Sequence, residues 1–428
     1  MAVCFMFANY EEQYECEYCI NKEFIEVDIK YDIEEEMEPE NGVIVWTSNN
    51  EFKKRDILII DSKNKRNYLL KNAYYMGKSS VCGTPDGGSK TKFRAEIYFE
   101  HGDYEKLMAL RDMPKISKIR VFSKDINDVI DFSSVKIKES DKECIIELSK
   151  ENKNTSRSIE VNSNGVKELS VSENWKCKHN WLNGIIINFE RYIEITLMKR
   201  RNYTESSSFI NELVIFMQLY LPNKFSVDKI WVFVDNSYYK LVIPHKEVKY
   251  DKRTVNQTVG VGMLEFLNNC YNKIPYKNSK SEIRNIPYIV LDTSRNIEDN
   301  FLMLYRFIEC YYKKQPIKDI TKNFISYSLK NDYVSKISLT DEQIEKYSQE
   351  IICLRNHYVH SGYFIKNSSL RISFKGTVNK KDSRNYTVTN LDIRWIYERT
   401  KILYEITLAI IFRKMLGYND FKFQKRLN

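Results

Sequence analysis

Through much of the first half of the chain, hydrophobic and polar positions alternate in short runs. Val43-Ile44-Val45-Trp46, Ile57-Leu58-Ile59-Ile60, Phe93 to Phe99 and Cys144-Ile145-Ile146-Glu147-Leu148 each read as a strand bounded by polar turns. Met1 to Ala8 is apolar and reads as a buried first strand, because it has no basic leader and is too short for a signal segment. Further strands are expected at Gly184 to Asn188 and Tyr192 to Leu197, and Ile230 to Val234 with Tyr238 to Ile243 flank Asp235-Asn236-Ser237 as a hairpin. Phe209 to Leu221 is apolar enough to be either strand or buried helix, and periodicity leaves both open. Glu151 to Gly165, rich in Asn and Ser, reads as an exposed loop, and the polar stretch Pro244 to Thr258 as a boundary.

Beyond Gly260 the period becomes helical. Ile297, Phe301, Leu304 and Ile308 form one stripe, Ile317 to Lys330 carries another, and Leu391 to Leu416 reads as a long last helix capped by Thr389 with Asp392. Thr340 and Gln343 form a capping box, after which Ile344, Tyr347, Ile351, Leu354 and Tyr358 recur at three- and four-residue spacing. This helix is expected to end near Ser361 and Gly362. The fold class expected is α+β and multidomain: a mainly β domain over 1–170, a second β-containing part over 171–258, and a helical domain over 259–428.

The chemistry worth weighing lies at the end of that capped helix, in Arg355-Asn356-His357-Tyr358-Val359-His360. Asn356 and His360 are four apart and share a face, whereas Arg355 lies about 140° from His360 around an ideal helix and must reach by its long side chain or through fraying of the last turn. His360 sits where the helix dipole favours a cation. A histidine can take the proton from a ribose 2'-hydroxyl or give one to the departing 5'-oxygen, while an arginine holds the nonbridging phosphate oxygens. Such a site needs no metal. Its products would be a 2',3'-cyclic phosphate and a 5'-hydroxyl, and DNA would be inert. The plainer reading is a basic helix end that satisfies the dipole.

Arg355-Asn356 followed by His360 resembles the R-x4-6-H signature of HEPN-domain ribonucleases, and the 290–417 region resembles a HEPN helical bundle. Asp61 to Tyr104, with Tyr74-Tyr75-Met76-Gly77-Lys78 leading into Phe93-Arg94-Ala95-Glu96-Ile97-Tyr98, resembles the N-terminal domain of ApeA-type anti-phage proteins. The resemblance implies an all-α C-terminal bundle, with Arg355 and His360 catalytic and Asn356 supporting them. It also implies a homodimer or higher even oligomer in which paired motifs meet in a cleft. The function implied is abortive anti-phage defence, with a phage-derived trigger releasing cleavage of host RNA, tRNA foremost. His357 has no fixed role in that pattern but stands among its residues. The alternative is a noncatalytic RNA- or protein-binding module.

Composition bears on this only loosely. The 428 residues are 43% hydrophobic, enough for two or three domains with real cores. The formal charge of +9 favours an anionic partner, although lysine-rich surfaces alone would produce it. No stretch reads as a membrane span, and nine scattered cysteines do not form a secreted disulfide framework, so a cytoplasmic location is expected.

Three further constellations were candidates. Glu309, on the 297–314 helix, can reach inward to orient Arg355 or a histidine, although an ordinary solvated or ion-paired helix residue is the plainer reading. Gly83-Thr84-Pro85-Asp86-Gly87-Gly88-Ser89-Lys90-Thr91 comes near a phosphate-binding loop, but Ser89 separates Gly88 from Lys90 and the loop leads into a strand, so no nucleotide cofactor is expected. Cys16-x2-Cys19 has the bite of a zinc knuckle and Cys177-x-His179 could complete it, although unliganded cysteines are the better reading.

Overall fold

The computed structural model describes residues 2–6, 13–21, 23–30, 54–80, 89–110, 113–126, 135–139, 144–148, 156–180, 184–221, 225–244, 256–257, 261–274, 296–313, 324–333, 339–361, 370–375, 383–388, 391–420 and 423–424. It divides into two compact units. The first comprises 1–158, 165–211 and 227–246, and the second 159–164, 212–226 and 247–428.

The first unit is built on a sheet whose strands are β1 (Ala2–Met6), β2 (Gln13–Ile20), β3 (Ile25–Ile29), β4 (Lys54–Asp61), β5 (Arg66–Ser80), β6 (Ser89–Ala95), β7 (Ile97–His101) and, after the short helix α1 (Tyr104–Met108), β8 (Ile116–Phe122). β9 (Val135–Glu139) and β10 (Cys144–Leu148) pair separately. The sheet continues with β11 (Ser156–Ser163), β12 (Val166–Asn180), β13 (Gly184–Arg201), β14 (Lys229–Val234) and β15 (Ser237–Val242). Its order is β11-β12-β13-β8-β14-β15-β7-β5-β4-β1-β2-β3-β6, and a further pairing of β5 with β6 closes the last six strands into a barrel.

β5 makes that closure possible. Its first half, Asn67 to Lys71, pairs with β7, and its second half, Tyr74 to Ser80, pairs with β6. Between them Asn72 takes a positive φ of 52°, and its amide donates to Tyr203 Oη at 2.8 Å. The alternating apolar positions of six strands then converge on one interior, where Cys4, Ile25, Val27, Ile57, Ile59, Phe93 and Ala95 are wholly buried.

Several expectations are corrected by this sheet. The division expected at 170/171 falls inside β12, and β8 pairs with both β13 and β14, so both β regions share one sheet. Gly184 to Asn188 and Tyr192 to Leu197 are one strand. Glu151 to Gly165 is largely β11 rather than loop; Asn164 and Gly165 have φ of 53° and 84°, the backbone of a two-residue hairpin turn. The hairpin expected at Asp235-Asn236-Ser237 forms with a shorter turn: Asp235 and Asn236 have positive φ, and Ser237 already pairs with Val234. Of Phe209 to Leu221, all but Leu221 belongs to helix α2 (Tyr203–Tyr220), whose first turn is capped by Asn202 Oδ1 accepting from Glu205 N. Val43 to Trp46 and Gly83 to Gly88 lie outside the described residues, and Lys90-Thr91 stand on β6.

The second unit carries α3 (Met263–Lys273), α4 (Ile297–Lys313), α5 (Phe324–Asn331), α6 (Asp341–Ser361) and α7 (Ile393–Ala409), the last running into a π-helical turn, Ile410–Met415. The expected stripe on α4 is buried through Phe301, Leu304 and Ile308. The cap of α7 is Asp392, whose Oδ1 accepts from Arg394 N at 3.0 Å; Thr389 lies outside the described residues.

This unit is not the all-α HEPN bundle. It contains strand pairs β16 (Asn256–Gln257) with β19 (Phe423–Gln424) and β17 (Leu370–Lys375) with β18 (Ser383–Val388). β17 buries Leu370 and Ile372 two residues apart, a strand period inside a region read as helical. The hairpin then packs against α6 and forms part of the charged core described below.

Candidate functional site

Helix α6 begins as its sequence dictates. Thr340 N–H donates to Gln343 Oε1 at 2.9 Å and Gln343 N–H to Thr340 Oγ1 at 3.2 Å, a closed capping box. Ile344, Ser348, Ile351 and Leu354 are buried along one stripe, and the helix holds through Ser361. The last turns therefore present Arg355 half-buried, Asn356 exposed, His357 half-buried and His360 exposed.

Arg355 lies in a groove of about 490 Å³ between α6 and α4. The α4 wall is formed by Leu302, Tyr305, Arg306, Glu309, Cys310 and Lys313, and Val359 completes the α6 side. The Arg355 guanidinium sits 5.7 Å from the centre of the Tyr305 ring, and its Nη1 donates to Asn356 Oδ1 at 3.0 Å. Burial raises the Tyr305 phenol above the usual tyrosine range, with the Glu309 charge adding to this and Arg355 opposing it. Tyr358 does not join the buried stripe; its hydroxyl donates to Asp299 Oδ1 at 3.2 Å and links α6 to the first turn of α4.

Glu309 shares the groove but turns to its own helix, accepting Lys313 Nζ at 2.6 Å, an i,i+4 pair with Lys313 largely exposed. His360 does not line the groove that holds Arg355. The Nε2 of His357 is sheltered from solvent and meets no hydrogen-bond partner. Within one chain, then, the Arg355 guanidinium gathers with Arg306 and Lys313 at one groove, Asn356 is tied to Arg355 from outside the lining, and the exposed imidazole stands outside as well.

The zinc reading fares differently. Cys16 and Cys19 stand three apart on β2, so their side chains leave opposite faces, Cys16 buried and Cys19 exposed. Cys16 instead neighbours Cys4, and that thiol's pKa is raised by the Cys16 hydrogen bond and by burial. Cys177 and His179 have their backbone on β12, but their side chains lie outside the described residues. Among the described residues no group of three or more His, Cys, Asp or Glu is placed to hold a metal ion.

A buried ionic centre escaped the sequence reading. Glu350, 2% exposed, accepts Arg399 Nε and Nη2, both at 2.6 Å, and the hydroxyl of Tyr386 on β18. The Arg399 guanidinium is 4.9 Å from the ring centres of both Tyr347 and Trp395. Burial and the bond to Glu350 push the Tyr386 phenol well above the tyrosine range. α6, α7 and the β17–β18 hairpin are thus joined through one carboxylate, five residues before Arg355. The only sequence signal was a Glu at a core position of α6, which needs a buried partner.

No family model, curated protein or solved structure matches this chain.

Proposed function

We propose that this chain is a metal-independent endoribonuclease whose site is built on the last two turns of α6. Supporting it is the half-buried Arg355, held over Tyr305 and tied to Asn356, at a groove large enough for a phosphate and its sugar. Arg355 would grip the nonbridging oxygens, and Asn356 would orient that guanidinium or the substrate. His360 would carry the proton. Because His360 stands outside the groove of its own chain, the reading requires either closure on substrate or a second copy whose α6 supplies the missing imidazole. A homodimer is the simpler of these. In this reading the protein acts in the cytoplasm, on host RNA with tRNA foremost, as an abortive anti-phage effector released by a phage-derived trigger. Among the described residues no helix is long and apolar enough to cross a membrane.

The second reading is a noncatalytic RNA- or protein-binding module, favoured by the same separation of His360 from Arg355. Incubating the full-length protein with end-labelled RNA in excess EDTA distinguishes them. The enzyme yields 2',3'-cyclic phosphate and 5'-hydroxyl ends, and a binding module leaves the RNA intact. Cleavage abolished by EDTA and restored by magnesium or manganese would reject the mechanism.

A further inference from the structure

The first unit presents a sheet face whose chemistry neither the barrel nor the α6 groove uses. On β13, β8, β14 and β15, alternate residues such as Ile193, Ile119, Val121, Val232 and Leu241 are buried on one side. The intervening residues form a second surface of rings and cations. Register places Arg120 opposite both Glu194 and Trp231, Lys118 opposite Phe233, and Trp231 opposite Lys240.

Trp231, Phe233 and Tyr238 are half-buried, on adjacent strands, with the last two ring centres 4.8 Å apart. Arg120 lies 3.7 Å from the centre of the Tyr238 ring and 4.7 Å from that of Tyr192.

Charge on this face is layered. The carboxylates that pair its cations mostly lie deep, Glu194 being 9% and Glu100 18% exposed, whereas Lys118 is 39% and Lys240 37% exposed. Glu194 is consumed from within by Arg120, Lys118 and the Tyr238 hydroxyl. Glu190 is the exception, 41% exposed beside Lys229. What meets solvent is therefore chiefly ammonium and aromatic surface.

We propose that this face binds single-stranded nucleic acid. Unstacked bases would lie on Trp231, on Phe233 and on the Arg120 plane that Tyr238 backs, with phosphates running along Lys118, Lys240 and Lys229. A duplex offers no free base faces to the rings, and an acidic peptide would engage the lysines without needing them. The inference stands apart from the proposed cleavage and does not require it.

The test is fluorescence anisotropy with the full-length protein and a labelled oligothymidylate of about twelve nucleotides, a length suited to such grooves. Lacking a 2'-hydroxyl, this probe cannot be cut by the proposed chemistry, so failure to bind and failure to cleave are separately visible. Binding is expected to weaken steeply with salt and to exceed binding to a duplex of equal length. Trp231→Ala and Tyr238→Ala should each weaken it about 5- to 100-fold. The paired substitution Lys118→Gln with Lys240→Gln, on partly exposed side chains and without a new carboxylate beside Glu194 or Glu100, should weaken binding markedly and flatten its salt dependence, and decides the matter if the aromatic variants do not fold. Unchanged affinity in that variant, no preference over duplex, or equal competition by polyglutamate would overturn the proposal.

Discussion

Arg355 and Tyr305, fifty residues apart in the chain, meet across the groove between α4 and α6, with the guanidinium 5.7 Å from the ring centre. The ring can hold the cation's direction without competing for its N–H groups, so those not donated to Asn356 can reach a phosphate. Tyr305→Phe should therefore retain cleavage, whereas Tyr305→Leu should lose about 2- to 5-fold, the scale of an exposed cation–π contact. A loss as large for Phe as for Leu would mean that the hydroxyl matters and the ring's face does not.

His360 is exposed and Arg355 half-buried, so neither substitution should disturb the core. His360→Ala is expected to lower cleavage by about 10²- to 10⁴-fold with an unchanged melting temperature. Arg355→Lys should also be strongly impaired, because lysine keeps the charge and loses the planar fork. Mixing the two kinds of subunit in equal amounts tests whether sites are shared: activity should change on mixing if a dimer builds them. A fully active monomer by light scattering would sink that idea.

The Glu350–Arg399 pair should be costly to break from one side. Arg399→Met leaves a carboxylate buried with only the Tyr386 hydroxyl, and loss of one partner of such a pair typically removes about 3–5 kcal/mol. Replacing both partners with apolar residues of similar volume should cost far less. Denaturant unfolding of the single and double variants measures this, and equal effects would show that the pair is not coupled.

Alkali should unfold the protein through its buried tyrosines. Burial raises the phenol of Tyr98 to about 12, and those of Tyr386, Tyr312 and Tyr238 higher, the last three also through neighbouring carboxylates. The unfolded chain releases these protons near pH 10. The folded state holds them longer, so their stabilisation is complete below about pH 10 and is lost as pH rises toward the folded values. Phenolate absorbance should therefore rise in two phases, the later one together with loss of secondary structure. Free titration of every tyrosine near pH 10 with the fold intact would contradict this.

Gly165 has a φ of 84°, and a Cβ there would lie 3.2 Å from the Phe209 ring. Gly165→Ala should cost about 1–2 kcal/mol, the penalty of left-handed backbone for an L residue, plus any shift of Phe209. Thermal melts of the variant check this; no change would mean that the turn relaxes freely.

Elements whose determinants lie within a few residues were legible in the sequence. Thr340 and Gln343 mark the start of α6, Asp235-Asn236 mark the β14–β15 turn, and the stripe of Phe301, Leu304 and Ile308 marks the buried side of α4. Asn164-Gly165 carried the same kind of turn signal and was hidden by the polar residues around it. Leu370 and Ile372 also showed their strand period, but the helices on either side outweighed so short a run.

What no local pattern could decide was partnership. Cys16 and Cys19 look alike in sequence, yet β2 sends one into the barrel and the other into solvent. The barrel closes because β5 pairs with β7 in its first half and with β6 in its second, the partners changing around Asn72 with its positive φ. Glu350 finds Arg399 across 49 residues, and Arg355 finds Tyr305. By itself the sequence determined which residues could carry charge, stack or turn the backbone, since those are properties of side chains and of one or two dihedrals. Which of them meet is a property of packing, where burial of a distant apolar face brings a cation to a ring and leaves His360 outside the groove.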